Sequence, residues 1–269
     1  MHTPRRARRA IVTALATVTL GLSSLTAHAA NVLVDFGSAG STPPNTPTAV
    51  DAVGRTWTNV TDGNDQSGNP FTLLSSATGT DTGYRLSVSN PAGVTNAIGF
   101  NGSNTNGAAA TGTALARNYP LSATADSLFG NTVAFGAGVV QAVRVTLSNL
   151  NPAELYALDF FASRTGVSDN RETEYHVVGG NTNASAFLNV ANNTGNITGV
   201  AGVSPDANNQ IVIDIDPGPN NTNATGFFYL GVLELNSSPA PAVPEPSTLA
   251  TTVTAALATL RRRRKPTRK

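Results

Sequence analysis

The chain contains no cysteine. That excludes disulfide staples, thiolate metal sites and a cysteine nucleophile. Its two lysines, Lys265 and Lys269, both stand at the extreme C-terminal end. His176 is the sole histidine outside the first 29 residues, so no histidine-built transition-metal site can form in the body of the chain. Aromatic residues make up 6% of the sequence, so an aromatic binding platform has few members to draw on. Apolar runs are short, and none reaches the ~20 residues of an ordinary transmembrane helix. No Gly-x-Ser-x-Gly turn exists to present a serine nucleophile, and no repeat of solenoid length appears. Helical periodicity is almost absent.

Both ends are legible as addresses. Arg5, Arg6, Arg8 and Arg9 precede an apolar stretch over residues 11–25, and Ala27-His28-Ala29 follows as a small-x-small cleavage site. This is the pattern of a secretory signal peptide over 1–29, with Ala30 expected as the mature N-terminus. Ile11-Val12 does not suit the twin-arginine route, so general secretion is expected. At the other end, Val243-Pro244-Glu245-Pro246-Ser247-Thr248 leads into an Ala/Thr/Val/Leu stretch that closes with Arg261-Arg262-Arg263-Arg264-Lys265. Proline fixes the backbone and blocks helix there, which presents Glu245 in an extended segment. The tail resembles the PEP-CTERM sorting signal of bacteria, whose processing enzyme, exosortase, is a membrane-embedded cysteine transpeptidase. The resemblance implies export, transient anchoring in the inner membrane, and partnership with signal peptidase and exosortase. Residues 247–260, taken as a short membrane helix, number 14 and span ~21 Å against a hydrocarbon core of ~30 Å. They are shorter and less leucine-rich than the family pattern. The basic tail, 261–269, stays cytoplasmic by the positive-inside rule. Residues 237–246 read as a proline-rich linker that lifts the body off the membrane.

Setting the ends apart changes the electrostatics. Between the leader and the basic residues after Leu260 stand six arginines (Arg55, Arg85, Arg117, Arg144, Arg164, Arg171) and all 16 acids, Glu245 of the sorting motif included, a net charge of about −10 for that region. Such a surface repels phosphate backbones, so nucleic acid is excluded as a partner; neutral glycans or divalent cations suit it.

The body, residues 30–236, is large enough to hold together by core burial as one domain. Short alternating runs rich in Val, Leu, Ile, Phe, Tyr and Thr, punctuated by Gly, Asn, Asp and Pro, predict strands. They fall at 32–36, 56–60, 84–88, 139–147, 155–163, 173–178, 186–190, 211–215 and 227–235. One helix-like segment is expected near 124–129. The pattern is all-β: a two-sheet antiparallel sandwich of jelly-roll type.

Motifs through the body carry a second resemblance. They include Phe36-Gly37-Ser38, Trp57 to Thr61, Leu150 to Tyr156, Phe160 to Arg164, Asn170 to Tyr175, Asn192-Asn193-Thr194 and Pro205 to Asn208. In order they look like exported planctomycete-type β-sandwich domains with PEP-CTERM tails, similar in outline to galactose-binding and malectin-like folds. The resemblance implies a jelly roll. Glycan binding follows from it by analogy alone.

For chemistry, catalytic parts are scarce. A Ser-His-Asp triad would need His176, and Ser127 in Ala125-Asp126-Ser127-Leu128 sits in a block superficially like the nucleophile segment of GDSL esterases, but polar residues precede it where a buried strand is required. Glu172 and Glu174 share a strand face about 7 Å apart, which matches a carboxylate pair on geometry and a solvated acidic face on frequency. Oxygen ligands leave calcium as the suitable metal, with Asp206, Asn208, Asp214 and Asp216 as candidates and Asp62-Gly63-Asn64-Asp65 as a further turn. For glycans, Trp57 is either a stacking platform or packing between the sheets, and Arg164, Asp169 and Arg171 form the most polar loop cluster, which is either a ligand contact or an ion-paired loop that merely orders itself. No organic cofactor is implied. The expected function is a non-enzymatic surface or matrix protein associated with extracellular polysaccharide. A purely cohesive envelope protein is the alternative, and a carbohydrate-active hydrolase the third reading.

Overall fold

The computed structural model describes residues 30–38, 48–61, 70–91, 99–101, 117–135 and 139–241. The signal peptide over 1–29, the sorting motif from Val243 to Thr248, the short apolar segment 247–260, the tail 261–269 and the Asp62–Asp65 turn lie outside them. Among the described residues no helix is long and apolar enough to cross a membrane.

The chain folds as strands. In order they are β1 (Asn31–Gly37), β2 (Thr58–Thr61), β3 (Phe71–Leu74), β4 (Asp81–Ser89), β5 (Gly99–Asn101), β6 (Ser127–Phe135), β7 (Val139–Gln141), β8 (Val143–Ser148), β9 (Glu154–Phe161) and β10 (Glu172–Val178). Then follow β11 (Asn183–Asn189), β12 (Thr198–Val203), β13 (Ile211–Pro217), β14 (Phe228–Leu230) and β15 (Val232–Pro239). One short helix, α1 (Leu121–Thr124), precedes β6.

Two main sheets face each other. The first has the order β12-β9-β15-β1-β2 and the second β11-β10-β13-β8-β4-β3. A small third sheet, β14-β6-β5 with β7 on β6, closes one flank. Alternation places one side of each strand inward: β8 and β13 bury Val143, Val145, Leu147, Ile211, Ile213 and Ile215 while the intervening residues stay outside. From the facing sheet come Val32, Val34, Phe36, Tyr156, Leu158, Phe160, Leu233 and Leu235. Phe160 and Tyr175 stack across the gap, ring centroids 4.4 Å apart, so the two layers interdigitate.

Strand β1 is buried on both faces. The side turned away from the main core carries a second apolar cluster of Leu33, Trp57, Tyr119, Ala123, Phe161 and Val232, roofed by the segment that contains α1. This second layer explains why Asp35, on the same face as Leu33, is out of solvent.

Several expectations change. The sandwich is not purely antiparallel, because β1 and β2 run parallel. The run 139–147 breaks at Ala142 into β7 and β8, which belong to different sheets, and 227–235 breaks at Gly231 into β14 and β15 in the same way. The helix expected near 124–129 is instead the start of β6, and the four-residue helix lies just before it. Residues 237–239, taken as linker, extend β15 and pair with β9, and Ser237 accepts a hydrogen bond from the Ala30 N–H at 2.9 Å.

Candidate polysaccharide-binding ledge

The loop between β9 and β10 and the loop between β13 and β14 are knitted by asparagine. Asn170 N–H donates to the Thr222 hydroxyl (3.0 Å) and Thr222 N–H to the Asn170 carbonyl (2.9 Å). Asn221 donates from its amide to the carbonyls of Glu172 (2.9 Å) and Phe227 (2.8 Å). Asn223 Oδ1 accepts from the N–H groups of Thr225 and Phe227, and its Nδ2 donates to Asp169. Short side chains that bond nearby backbone are suited to this task. Gly226 sits between them at φ 63°, where a Cβ would run into the Thr132 hydroxyl. Only glycine keeps that approach, and it delivers Phe227 to the surface.

Arg171 is the hub. Its Nε lies 3.0 Å from Asp169 Oδ1, its Nη1 donates to the Tyr229 hydroxyl, and its guanidinium stands 5.5 Å from the Phe227 ring centroid and 5.9 Å from that of Tyr229. Such cation–π contacts add ~0.5–2 kcal/mol when partly desolvated. Burial works to raise the Asp169 carboxyl, but the hydrogen bonds from Asn223 and Arg171 and the guanidinium charge outweigh it and hold it below the usual carboxylate range. Burial pushes the Tyr229 phenol up, against the pull of Arg171 and Arg164. Arg164 contributes its backbone to the neighbouring loop, receiving Asn192 N–H on its carbonyl at 2.8 Å, while its Nη1 is buried without a hydrogen-bond partner.

Beside this hub runs an aromatic ledge. Phe227 meets Phe135 edge-on with centroids 5.0 Å apart and Phe129 at 5.9 Å. Phe135 is 59% exposed, and Val133, two residues earlier on β6, is also open to solvent. The exposed Phe135 ring, backed by the half-buried Phe227 and Phe129, lies beside the Asp169–Asn223 pair and so joins an apolar surface to polar groups. Phe135, Phe227 and Phe129 were not singled out from the sequence. The one local signal was the Phe227-Phe228-Tyr229 triplet after an asparagine-rich turn, whereas Phe129 stands at the end of the segment expected as helix-like and Phe135 in no expected element.

Three of the four anticipated ligand residues, Arg164, Asp169 and Arg171, therefore come together around Tyr229. Trp57 does not join them. It is 2% exposed, packs edge-on against Tyr119 at 5.6 Å, and donates from Nε1 to Asp51 at 3.0 Å. It lies in the second cluster, on the opposite side of the first sheet from the main core, so it is neither a platform nor packing between the sheets.

Of the calcium candidates, Asp206, Asn208 and Asp214 are engaged elsewhere. Asp206 Oδ1 accepts from the N–H groups of Asn208 and Gln210, both at 2.8 Å, which makes it a turn former. Asp214 is held by Arg144 through two bonds of 2.6 and 2.8 Å, and Asp216 stands opposite Glu174 across the strand pair. Among the described residues no group of three or more His, Asp or Glu side chains is arranged around one point. Ser127 is buried on β6, whereas His176 lies on the outer face of β10 and bonds Asn183 at 2.7 Å. Glu172 and Glu174 are engaged separately, by Asn220 and Ser185.

No family model matches the chain, and no curated protein matches it. Among solved structures, the Xyl-CBM35 module in complex with a glucuronic-acid-containing disaccharide is similar at 14% identity and a TM-score of 0.26, covering 58% of this chain and 99% of that one. The CBM22-1-GH10 modules of Clostridium thermocellum endo-1,4-β-D-xylanase 10B, complexed with xylohexaose, are similar at 11% identity and a TM-score of 0.23, covering 44% of this chain and 25% of that one. Likeness at this level is faint, and the sandwich is established by the chain's own strand pairing.

Proposed function

We propose that the chain is an exported, exosortase-processed protein of the cell surface or extracellular matrix, non-enzymatic, whose sandwich holds extracellular polysaccharide on the Phe135–Phe227 ledge. The observation that carries the binding half is the exposed Phe135 ring seated on Phe227 beside Asp169 and Asn223. Sugar C–H faces pack on aromatic rings, and carboxylate and amide groups exchange hydrogen bonds with hydroxyls. The acidic region between the basic ends, about −10 in net charge, favours neutral chains over anionic ones. Arg171 is too committed to Asp169 and Tyr229 to grip ligand itself; it stiffens the ledge.

A glycan array of neutral and uronic-acid polysaccharides, probed with the full-length chain and with Phe135→Ala, tests this half. Binding to neutral members that drops at least tenfold in the variant supports it. Equal retention of both proteins, or no binding at all, favours a cohesive envelope protein instead. Export rests on the residues of the two ends. Intact mass of the secreted form should show a start at Ala30 and the loss of everything past the Pro244-Glu245-Pro246 region; an untrimmed cytosolic chain would overturn it.

A further inference from the structure

Away from the ledge, beneath the roof over β1, two carboxylates face each other. Asp35 is 2% exposed and Asp126, just before β6, is 4% exposed. Asp35 Oδ2 accepts from Thr48 N–H at 3.3 Å, and Asp126 Oδ2 accepts from Ser38 N–H at 3.2 Å. Each has its other oxygen, Oδ1, buried with no hydrogen-bond partner. Asn59 lies directly beside Asp35 in the parallel register of β1 and β2, so the two side chains leave the same face of the sheet. The Asn59 amide donates from Nδ2 to the Thr48 carbonyl at 2.6 Å, and its Oδ1 is likewise buried and unpartnered. The hydroxyls of Thr48 and Ser122 touch at the same place, 2.5 Å apart. Gly37 closes the wall, since a Cβ there would collide with the Asp126 carboxylate.

Buried acceptors without donors are costly, and buried like charges more so. Burial pushes both carboxyls well up; the charge of Asp35 adds to the effect on Asp126, and the opposing influences on the pair are hydrogen bonds from Thr48 and Ser38, with no cationic side chain among them. Three orphaned oxygens, two of them on carboxyls that can ionise together only at a large electrostatic cost, form a demand that water alone does not meet. A divalent cation meets both parts of it.

We propose that Asp35, Asn59 and Asp126 form a structural calcium site that pins β1 and β2 to the segment leading into β6. The donors are all oxygen, with the Thr48 hydroxyl beside Asp35 and the Ser122 hydroxyl against it, which suits the flexible six- to eight-fold coordination of calcium better than the strict octahedron of magnesium. One ion balances both carboxylates. The site is distinct from Asp206, Asn208, Asp214 and Asp216, and it does not depend on glycan binding.

The test uses the purified full-length chain, stripped with chelator and melted with calcium, with magnesium and with neither. Calcium at about 100 times its dissociation constant should raise Tm by about 5–10 °C, and magnesium by much less. Native mass spectrometry should count one calcium. In Asp126→Asn and in Asp35→Asn the calcium shift should vanish, while each variant in chelator melts at or above the stripped parent because one buried charge is gone. If calcium moves neither Tm nor mass of the parent, the pair shares a proton and the proposal is overturned. A calcium shift that survives in both variants equally overturns this location.

Discussion

Asp169 and Asp126 are both aspartates drawn in against the sandwich, and they are treated in opposite ways. Asp169 lies near the surface with Arg171 on one oxygen and Asn223 on the other, and its carboxyl is held below the usual range. Asp126 lies under α1 with Asp35 for a neighbour and one oxygen unsatisfied, and its carboxyl is pushed up. The same side chain is thus a fastener in one loop and a liability in the other. What separates them is the supply of donors: the rim can recruit guanidinium and amide groups from loops, whereas the buried pocket is walled by strands whose N–H groups are already paired.

Removing the donor at the rim should have the largest effect. Arg171→Ala leaves the half-buried Asp169 and the buried Tyr229 hydroxyl without their partner and strips the cation from Phe227, so denaturant unfolding should show a loss of about 3 kcal/mol. Removing an acceptor in the pocket should act the other way: Asp126→Asn in chelator should gain about 1–2 kcal/mol by the same measurement. A loss in that variant would mean that the pocket already satisfies its charges.

The two sorts of carboxylate should also give stability curves of opposite slope. Glu234, on β15, is pulled upward by burial but more strongly downward by hydrogen bonds from Tyr119, Arg117 and Asn236 and by the Arg117 charge, so it lies below its ordinary 4.5. It contributes stability that is present above its unfolded value and lost as pH falls through its lowered folded value. The Asp35–Asp126 pair is raised above its ordinary 3.8. It favours the fold below that unfolded value, and this is lost as pH rises through the raised folded values. Stability of the calcium-free chain, followed by urea titration across pH, should therefore peak in the mildly acidic range and decline toward neutrality. Glu234→Gln should flatten the acid limb at a cost of about 1 kcal/mol. Smallest of all is Phe135→Ala, which should leave stability within about 0.5 kcal/mol because the ring is exposed; its effect is reserved for polysaccharide retention.

Some of the ledge was legible in advance. Asp169 and Arg171 are two residues apart in one polar loop, so their meeting needs nothing beyond local chain geometry. Phe135 and Phe227 meet only because β6 and β14 pair, with Gly130 opposite Phe228, and no local pattern announces that. Trp57 is the sole tryptophan, yet the roof that buries it comes from Tyr119 and Ala123, far along the chain. Asp35 stands in the first expected strand and Asp126 in the Ala125–Leu128 block; neither position reveals that the two carboxylates share a pocket.

Alternation of apolar and polar residues with a period of two, together with Gly, Asn and Pro between the runs, was enough to establish an all-β body, and the distribution of Arg, Lys and acids was enough to set its sign of charge. These are local or additive properties, readable residue by residue. Strand order, the parallel β1–β2 pair, the split of two long runs between sheets and the convergence of Asp35, Asn59 and Asp126 were decided by the folded structure. Each depends on contacts between segments remote in the chain, whose register is selected by the packing of the whole sandwich.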